Sequence, residues 1–390
     1  MYPKTVWVIY CSRKGGHFYP SQAIYSYIKS HNKSIIPEMV NALDLSWCLS
    51  TVDRLGRLGD LRLRRVFRRG YRRLQDDSRL MKDTYRFTEK MIFQFDRMRD
   101  RLTRLHGQPD LILSIQPEIN VVAELLKSWY RVHFHTIIID LAIHGLWVEK
   151  SIDIYYVPNE PMKRDLMRYG VNGSRIIVSG MPLRDGFTSI AHRPVKQIRK
   201  KLGLDPGLKT ILLIGGLLGK MIDFERAIGL VSGLDTPVQV VAIFGENEGA
   251  MNRVSMLKDR MRCPVHLYGR VTNMHELMWA SDVIISKPGS VTISEVLGLG
   301  RPLIAISPLA GSAQELRFAQ FLEDNGAGIW IKNVEDLGSA LETLIRSRSE
   351  YDRVSRNARV LGQYGVTASK TIMENIAADL ERKEGQWQRV

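Results

Sequence analysis

Apolar residues along this chain come in short blocks rather than long stripes. Residues 6–10 (V-W-V-I-Y) read as a buried strand, and a helix is expected from about Ser21. Residues 109–115, 132–140, 152–158 and 175–180 are further strand-like runs, the second of them ending on Asp140. Strands buried on both faces lose the in–out alternation of a half-exposed strand. Continuous apolar runs separated by helical patterns therefore predict a parallel, doubly wound sheet. The plan repeats at 209–216, 237–245, 265–269, 282–287 and 302–306. Between the halves lies a polar, basic stretch, 184–209, with the turn signals H-R-P and D-P-G. The expectation is an α/β chain of two such domains, 1–183 and 184–368. An amphipathic helix within 369–390 should pack back towards the first domain.

A length of 390 residues suits two domains. The apolar and charged fractions are those of an ordinary globular protein, which excludes a disordered or collagen-like chain. No apolar run approaches the ~20 residues of a membrane-spanning helix. M-Y-P-K leads directly into the first strand, so no signal peptide is expected. Cys11, Cys48 and Cys263 are too widely spaced for a disulfide framework or a zinc motif, and fit a reducing cytosol.

Charge changes this picture. The net charge is +15, and residues 54–104 hold most of the surplus, with seventeen Arg/Lys against seven Asp/Glu. Leu61, Leu63, Val66, Phe67, Tyr71 and Leu74 follow roughly helical spacing there, opposite a face rich in arginine. One reading is a solvated helical face. The other is an interfacial helix, its arginines on anionic lipid at about 1 kcal/mol each. Nucleic acid is not expected as a partner, because no nucleic-acid-binding fold surrounds the patch.

Two glycine-rich strand-to-helix turns, one per half, suit close approach of phosphate oxygens to a helix N-terminus. The first holds Gly15, Gly16 and His17. The second, G-G-L-L-G-K, holds Gly215, Gly216 and Gly219. It is not a Walker A loop, since Ile214 replaces the first glycine and Met221 the Ser/Thr. A third turn, K-P-G-S-V-T-I-S-E (287–295), places Thr292 near a helix start and Glu295 one turn further on the same face. Glu295 is either a bidentate acceptor for ribose hydroxyls or half of a capping box with Thr292.

Taken in order, K-G-G-H-F-Y-P-S-Q-A-I (14–24), Q-P-D-L-I-L-S (108–114), D-L-A-I-H-G-L-W-V (140–148), S-G-M-P-L-R-D-G-F (179–187) and K-P-G-S-V-T-I-S-E (287–295) resemble one family. This is the GT-B glycosyltransferase family of monogalactosyldiacylglycerol synthase and the processive diacylglycerol glucosyltransferases, related to the peptidoglycan-precursor N-acetylglucosaminyltransferase. The spacing of Asp140, His144 and Trp147 resembles the diacylglycerol branch. The resemblance implies two Rossmann-like domains facing a cleft. It also implies an inverting, metal-independent transfer of a hexose from a UDP-sugar to a lipid hydroxyl, most naturally diacylglycerol, with no cofactor beyond the donor itself. Such an enzyme would sit peripherally on the cytoplasmic face of the cell membrane, docked by the basic segment.

Residue by residue, the resemblance implies that Glu295 holds the ribose and that Arg184 neutralises the diphosphate. Gly289, Ser290, Val291 and Thr292 would contact phosphate, and Arg270 and Val271 would border the uracil. Gly215 and Gly216 would lie beside the sugar, whose hydroxyls Gln314 and Glu315 would read. Gly15, Gly16, His144 and Trp147 would line the acceptor side. The chain departs from the pattern at A-G-S-A-Q-E (310–315), which has two extra residues before Gln314. Phe318 stands where asparagine is common, and Ser290 where glycine is frequent. The sugar is therefore left open among glucose, galactose, N-acetylglucosamine and glucuronic acid.

His17 is a candidate base, because imidazole titrates near neutrality. Asp140 is the other candidate, either as base or as the group that orients His17. No Asp-x-Asp or H-E-x-x-H motif offers metal ligands, and His133 and His135, alternating on a predicted strand, read as structural. The competing readings are a transferase acting on a prenyl-diphosphate-linked acceptor, a nucleotide-sugar epimerase, and a non-enzymatic UDP-sugar sensor.

Overall fold

The computed structural model describes residues 2–11, 16–42, 95–219, 222–307 and 313–387. The chain forms two compact units, Met1–Pro182 with Thr367–Val390, and Leu183–Val366. The basic segment enters the described structure only in the helix Phe95–His106, and its residues 54–94, like Gly15 and Cys48, lie outside the described residues. In that helix Leu102 is buried while Arg99, Arg101 and Arg104 are exposed. Among the described residues, no helix is long and apolar enough to cross a membrane.

The first unit contains one six-stranded parallel sheet. Its strands are β1 (Lys4–Tyr10), β2 (Ile35–Asn41), β3 (Leu111–Ser114), β4 (His133–Ile137), β5 (Ile154–Val157) and β6 (Ile176–Val178). Their order is β2-β1-β3-β4-β5-β6. Trp7, Val8, Leu111, Ile112 and Phe134 are fully buried. Each such side chain contributes about 1.5–3 kcal/mol through removal from water. The helix Ala368–Trp387 packs on the helix Phe18–His31. Its Ala368, Ile372, Ile376 and Leu380 are buried at a four-residue repeat, which places them on one face.

The second unit repeats the architecture with β7 (Lys209–Ile214), β8 (Val238–Ile243), β9 (Val265–Tyr268), β10 (Val283–Ser286), β11 (Leu303–Ile306) and β12 (Gly328–Ile331). Their order is β12-β11-β10-β7-β8-β9, with every pairing parallel.

The apolar pattern misses β2 and β12. Both are edge strands, where half the hydrogen-bonding capacity is unused and sequence demands are lax. β2 carries Pro37, which an edge tolerates, and β12 is four residues beginning with a glycine. The apolar run at 132–140 also overstates its strand. β4 stops at Ile137, so Asp140 lies in the loop beyond it rather than on the strand end. The first helix begins at Phe18, before Ser21, and the helix after β10 begins at Ser290.

Candidate functional site

In an open parallel sheet, ligands bind beyond the C-terminal strand ends where neighbouring connections diverge to opposite sides. In the first unit that point lies between β1 and β3, and in the second between β7 and β10. The turn leading to His17 follows β1, Ile115 follows β3, the loop 215–219 follows β7, and K-P-G-S follows β10. Topology therefore brings the motifs to the two crevices where such sheets bind ligands.

His17 immediately precedes the helix Phe18–His31. Its carbonyl accepts from the buried Ser21 hydroxyl at 2.7 Å, and its Nδ1 lies 2.8 Å from the Ile115 carbonyl oxygen. A carbonyl only accepts, so Nδ1 carries the hydrogen and the lone pair of neutral His17 sits on Nε2. The tautomer of a proton acceptor is thus set by one backbone oxygen. Gly16, beside it, is exposed.

Asp140 has a different environment. It is 3% exposed, and its Oδ2 accepts from the Trp147 indole Nε1 at 2.8 Å. His144 Nε2 lies 3.5 Å from the same oxygen, and the His144 and Trp147 rings are tilted against each other at 6.1 Å. Trp147 is completely buried. The D-x-x-x-H-x-x-W spacing is therefore a buried cluster organised around one carboxylate. The group that orients His17 is the Ile115 carbonyl, while Asp140 holds Trp147. Asn120, fully buried, extends the cluster: its Nδ2 donates to the Trp147 carbonyl and its Oδ1 accepts from the Thr136 hydroxyl. Neither Ile115 nor Asn120 was visible as a site residue. A backbone carbonyl has no sequence signature, and Asn120 shows only as one polar residue in an apolar stretch.

In the second unit the 215–219 loop is packed against the end of β8. At Gly219 (φ 59°) an added Cβ would lie 1.8 Å from the Phe244 carbonyl oxygen, and at Gly245 (φ 60°) 2.3 Å from that of Leu217. These two glycines exist because two backbone segments touch. Asn247 Nδ2 donates to the Gly219 carbonyl, and Glu246 N–H to that of Leu217. Gly215 packs under the Phe224 ring, and Leu218 is exposed at the loop tip.

The helix Ser290–Leu299 starts after Gly289, the N-cap, which has no side chain to cap with. Thr292 is thus inside the helix, and the capping-box reading fails. Both oxygens of Glu295 instead accept from Arg184, Nε at 2.5 Å and one terminal nitrogen at 2.8 Å. Glu295 is 1% exposed, and burial pushes its carboxyl up, an effect the Arg184 guanidinium only partly offsets. Ser290, Val291 and Thr292 form the first helical turn, whose N–H groups have no partner within the helix. Lys287 Nζ bonds Glu315 at 2.5 Å, beside a half-buried Gln314, and Arg270 pairs with Glu246 at 3.4 Å, next to Val271. Phe318 turns inward from its helix and is 3% exposed, so its place is in the core.

Residues 21–183 match the family model of monogalactosyldiacylglycerol (MGDG) synthase, and residues 210–368 that of the glycosyltransferase family 28 C-terminal domain. A processive diacylglycerol beta-glucosyltransferase of Bacillus pumilus is 31% identical over 277 residues, 71% of this chain and 70% of that protein. Among solved structures, MurG of Acinetobacter baumannii superposes with a TM-score of 0.61 at 12% identity, covering 96% of this chain and 100% of that one. A UDP-GlcNAc 2-epimerase from Neisseria meningitidis does so with 0.58 at 16% identity, covering 96% and 100%.

Two doubly wound parallel sheets, each with its loops gathered at a switch point, define the GT-B fold. MurG and an epimerase share that fold, so the fold alone does not decide the activity and the family rests on sequence. On its relatives, the chain belongs to the glycosyltransferase family of the monogalactosyldiacylglycerol synthases and processive diacylglycerol glucosyltransferases.

Proposed function

We propose that this protein transfers a hexose from a UDP-sugar to the free hydroxyl of diacylglycerol, with inversion at the anomeric carbon. The observation that carries this reading is the His17–Ile115 contact, which leaves Nε2 as a lone-pair acceptor at the crevice of the first sheet. In the reaction, Nε2 takes the acceptor hydroxyl proton while that oxygen bonds to C1. The bond from C1 to the diphosphate oxygen breaks, and UDP leaves with the electron pair.

The second unit binds the donor. Glu295 accepts ribose hydroxyls. Arg184 and the amides of the first helical turn after Gly289 face the diphosphate, where a guanidinium fork matches phosphate geometry and fixed N–H dipoles stabilise developing charge. These groups supply the charge that a metal supplies elsewhere, so the transfer is read as metal-independent. The Lys287–Glu315 pair and Gln314 lie on the sugar side. The acceptor reading is supported by the family's diacylglycerol transferases, and peripheral docking on an anionic cytoplasmic leaflet by the excess charge of residues 54–104.

The test is to incubate the protein with diacylglycerol in mixed vesicles and, separately, UDP-glucose, UDP-galactose, UDP-N-acetylglucosamine and UDP-glucuronic acid. A hexosyl-diacylglycerol in the mass spectrum is expected from one of the hexose donors. No glycolipid from any donor would end the proposal. Vesicle flotation tests the docking, and binding equal for neutral and anionic lipid would remove that part.

A further inference from the structure

At the other end of the first sheet, away from the Asp140 loop, β4 begins with His133 and His135. Residues two apart on a strand share a face. The C-terminal helix lays Asp379 against that face. Its Oδ2 is 2.5 Å from His133 Nδ1 and 3.2 Å from His135 Nε2. One ligand atom from each of the three residues lies within 4.8 Å of the others.

The details are those of a ligand set. His135 is 1% exposed, and its Nε2 makes no hydrogen bond of acceptable geometry, although a carboxylate oxygen is close. Its other nitrogen, Nδ1, is 3.2 Å from the Tyr156 hydroxyl. With Nδ1–H donating to that oxygen, Nε2 presents a lone pair beside the carboxylate rather than straight at it, and two acceptors lie close together in a buried place. A positive centre between two such acceptors, a proton or a metal ion, relieves the repulsion. Metal-bound histidines show this pattern, one nitrogen on the metal and the other held by an outer partner. Arg382 engages Asp379 Oδ1 at 3.3 Å, which leaves Oδ2 for the centre.

We infer that His133, His135 and Asp379 form a site for a divalent cation of the zinc class, which clips the C-terminal helix to the sheet. Zinc bonds of ~2.0–2.1 Å place tetrahedral ligand atoms ~3.3 Å apart. The His135–Asp379 separation already fits, and binding requires the His133 nitrogen, 2.5 Å from Asp379 Oδ2, to move back to that spacing. The solvent side of His133 leaves a fourth position for water. The set is invisible in sequence, because Asp379 lies 246 residues beyond His133, the first of the two histidines.

The test uses full-length, untagged protein stripped with a chelator. Titration with zinc chloride should give one equivalent bound by calorimetry and by elemental analysis. The thermal midpoint should rise by about 2 °C or more. His133→Ala, at the exposed edge, and Asp379→Asn should each lose the equivalent and the thermal shift. Cobalt loading of the wild type should give the visible bands of a tetrahedral centre, a readout that needs no variant. A hydrogen-bonded His–Asp–His cluster only, with no zinc retained above a buffer control, would overturn the inference. So would zinc binding unchanged in both variants.

Discussion

Arg184 and Glu295 hold each other through two N–H···O bonds, 111 residues apart in the chain. The pair unites the two residues that we propose hold opposite ends of the donor, the diphosphate and the ribose. A ribose that takes Glu295 competes with Arg184 for the same oxygens, and an Arg184 so released is available to phosphate.

Removing one partner strands a buried charge, whereas removing both does not. Arg184→Met should therefore cost about 3–5 kcal/mol of stability. The double variant Arg184→Met/Glu295→Leu should cost less than that single change. Urea unfolding of wild type, both singles and the double measures this, and simply additive losses would contradict the pairing.

If the lone pair on His17 Nε2 takes the proton, His17→Ala should lower kcat by about 100-fold or more with UDP affinity nearly unchanged. Asp140→Asn keeps an oxygen for the Trp147 indole and should lower kcat much less. Trp147→Phe should cost about 1–3 kcal/mol, because a buried carboxylate oxygen loses its donor. A larger kcat loss from Asp140→Asn than from His17→Ala would make Asp140 the base.

Gly219→Ala should destabilise the protein by about 1–3 kcal/mol, since a Cβ there meets the Phe244 carbonyl at a left-handed φ. Gly229, inside the helix Phe224–Ser232, has open space around it, and Gly229→Ala should stabilise by about 0.5–1 kcal/mol. Thermal melts of the two should shift in opposite directions.

Burial alone would raise the Glu276 carboxyl. Lys201 Nζ at 2.6 Å and the Asn273 amide outweigh burial and hold the carboxyl below its usual range. A lowered carboxylate stabilises the fold above its unfolded value of about 4.3, and that contribution disappears as pH falls through the lower folded value. Glu276→Gln should cost up to about 1 kcal/mol at pH 7, since Lys201 is more than half exposed. The gap from wild type should begin to shrink below the unfolded value of about 4.3 and vanish below the lower folded value. A gap that does not shrink at all as pH falls would show that the loss is one of packing.

The sheets were legible because strands within a covered sheet form short, mostly apolar runs, and ten of the twelve described strands stand out as such runs. β2 and β12 were not, because at an edge β2 can carry Pro37 and β12 can begin with Gly328, and these break the apolar run. The glycine turns were legible as motifs but ambiguous in purpose. Gly219 and Gly245 answer to the contact between two loops, and only their positions in space reveal it. The capping box at Thr292 and Glu295 was a fair local reading, and it failed because the helix starts at Ser290 and a distant arginine claims the carboxylate.

Sequence by itself determined the two α/β domains, the order of the strand-and-turn motifs and the family. Those follow from apolar periodicity and residue identity, which are properties of the chain in one dimension. Tertiary structure alone decided which groups meet. It gave His17 the Ile115 carbonyl, Asp140 the Trp147 indole, Glu295 the Arg184 fork and Asp379 two histidines from β4. Hydrogen bonds and buried charges depend on ångström-scale separations between residues far apart in sequence, and those distances exist only once the sheets have formed.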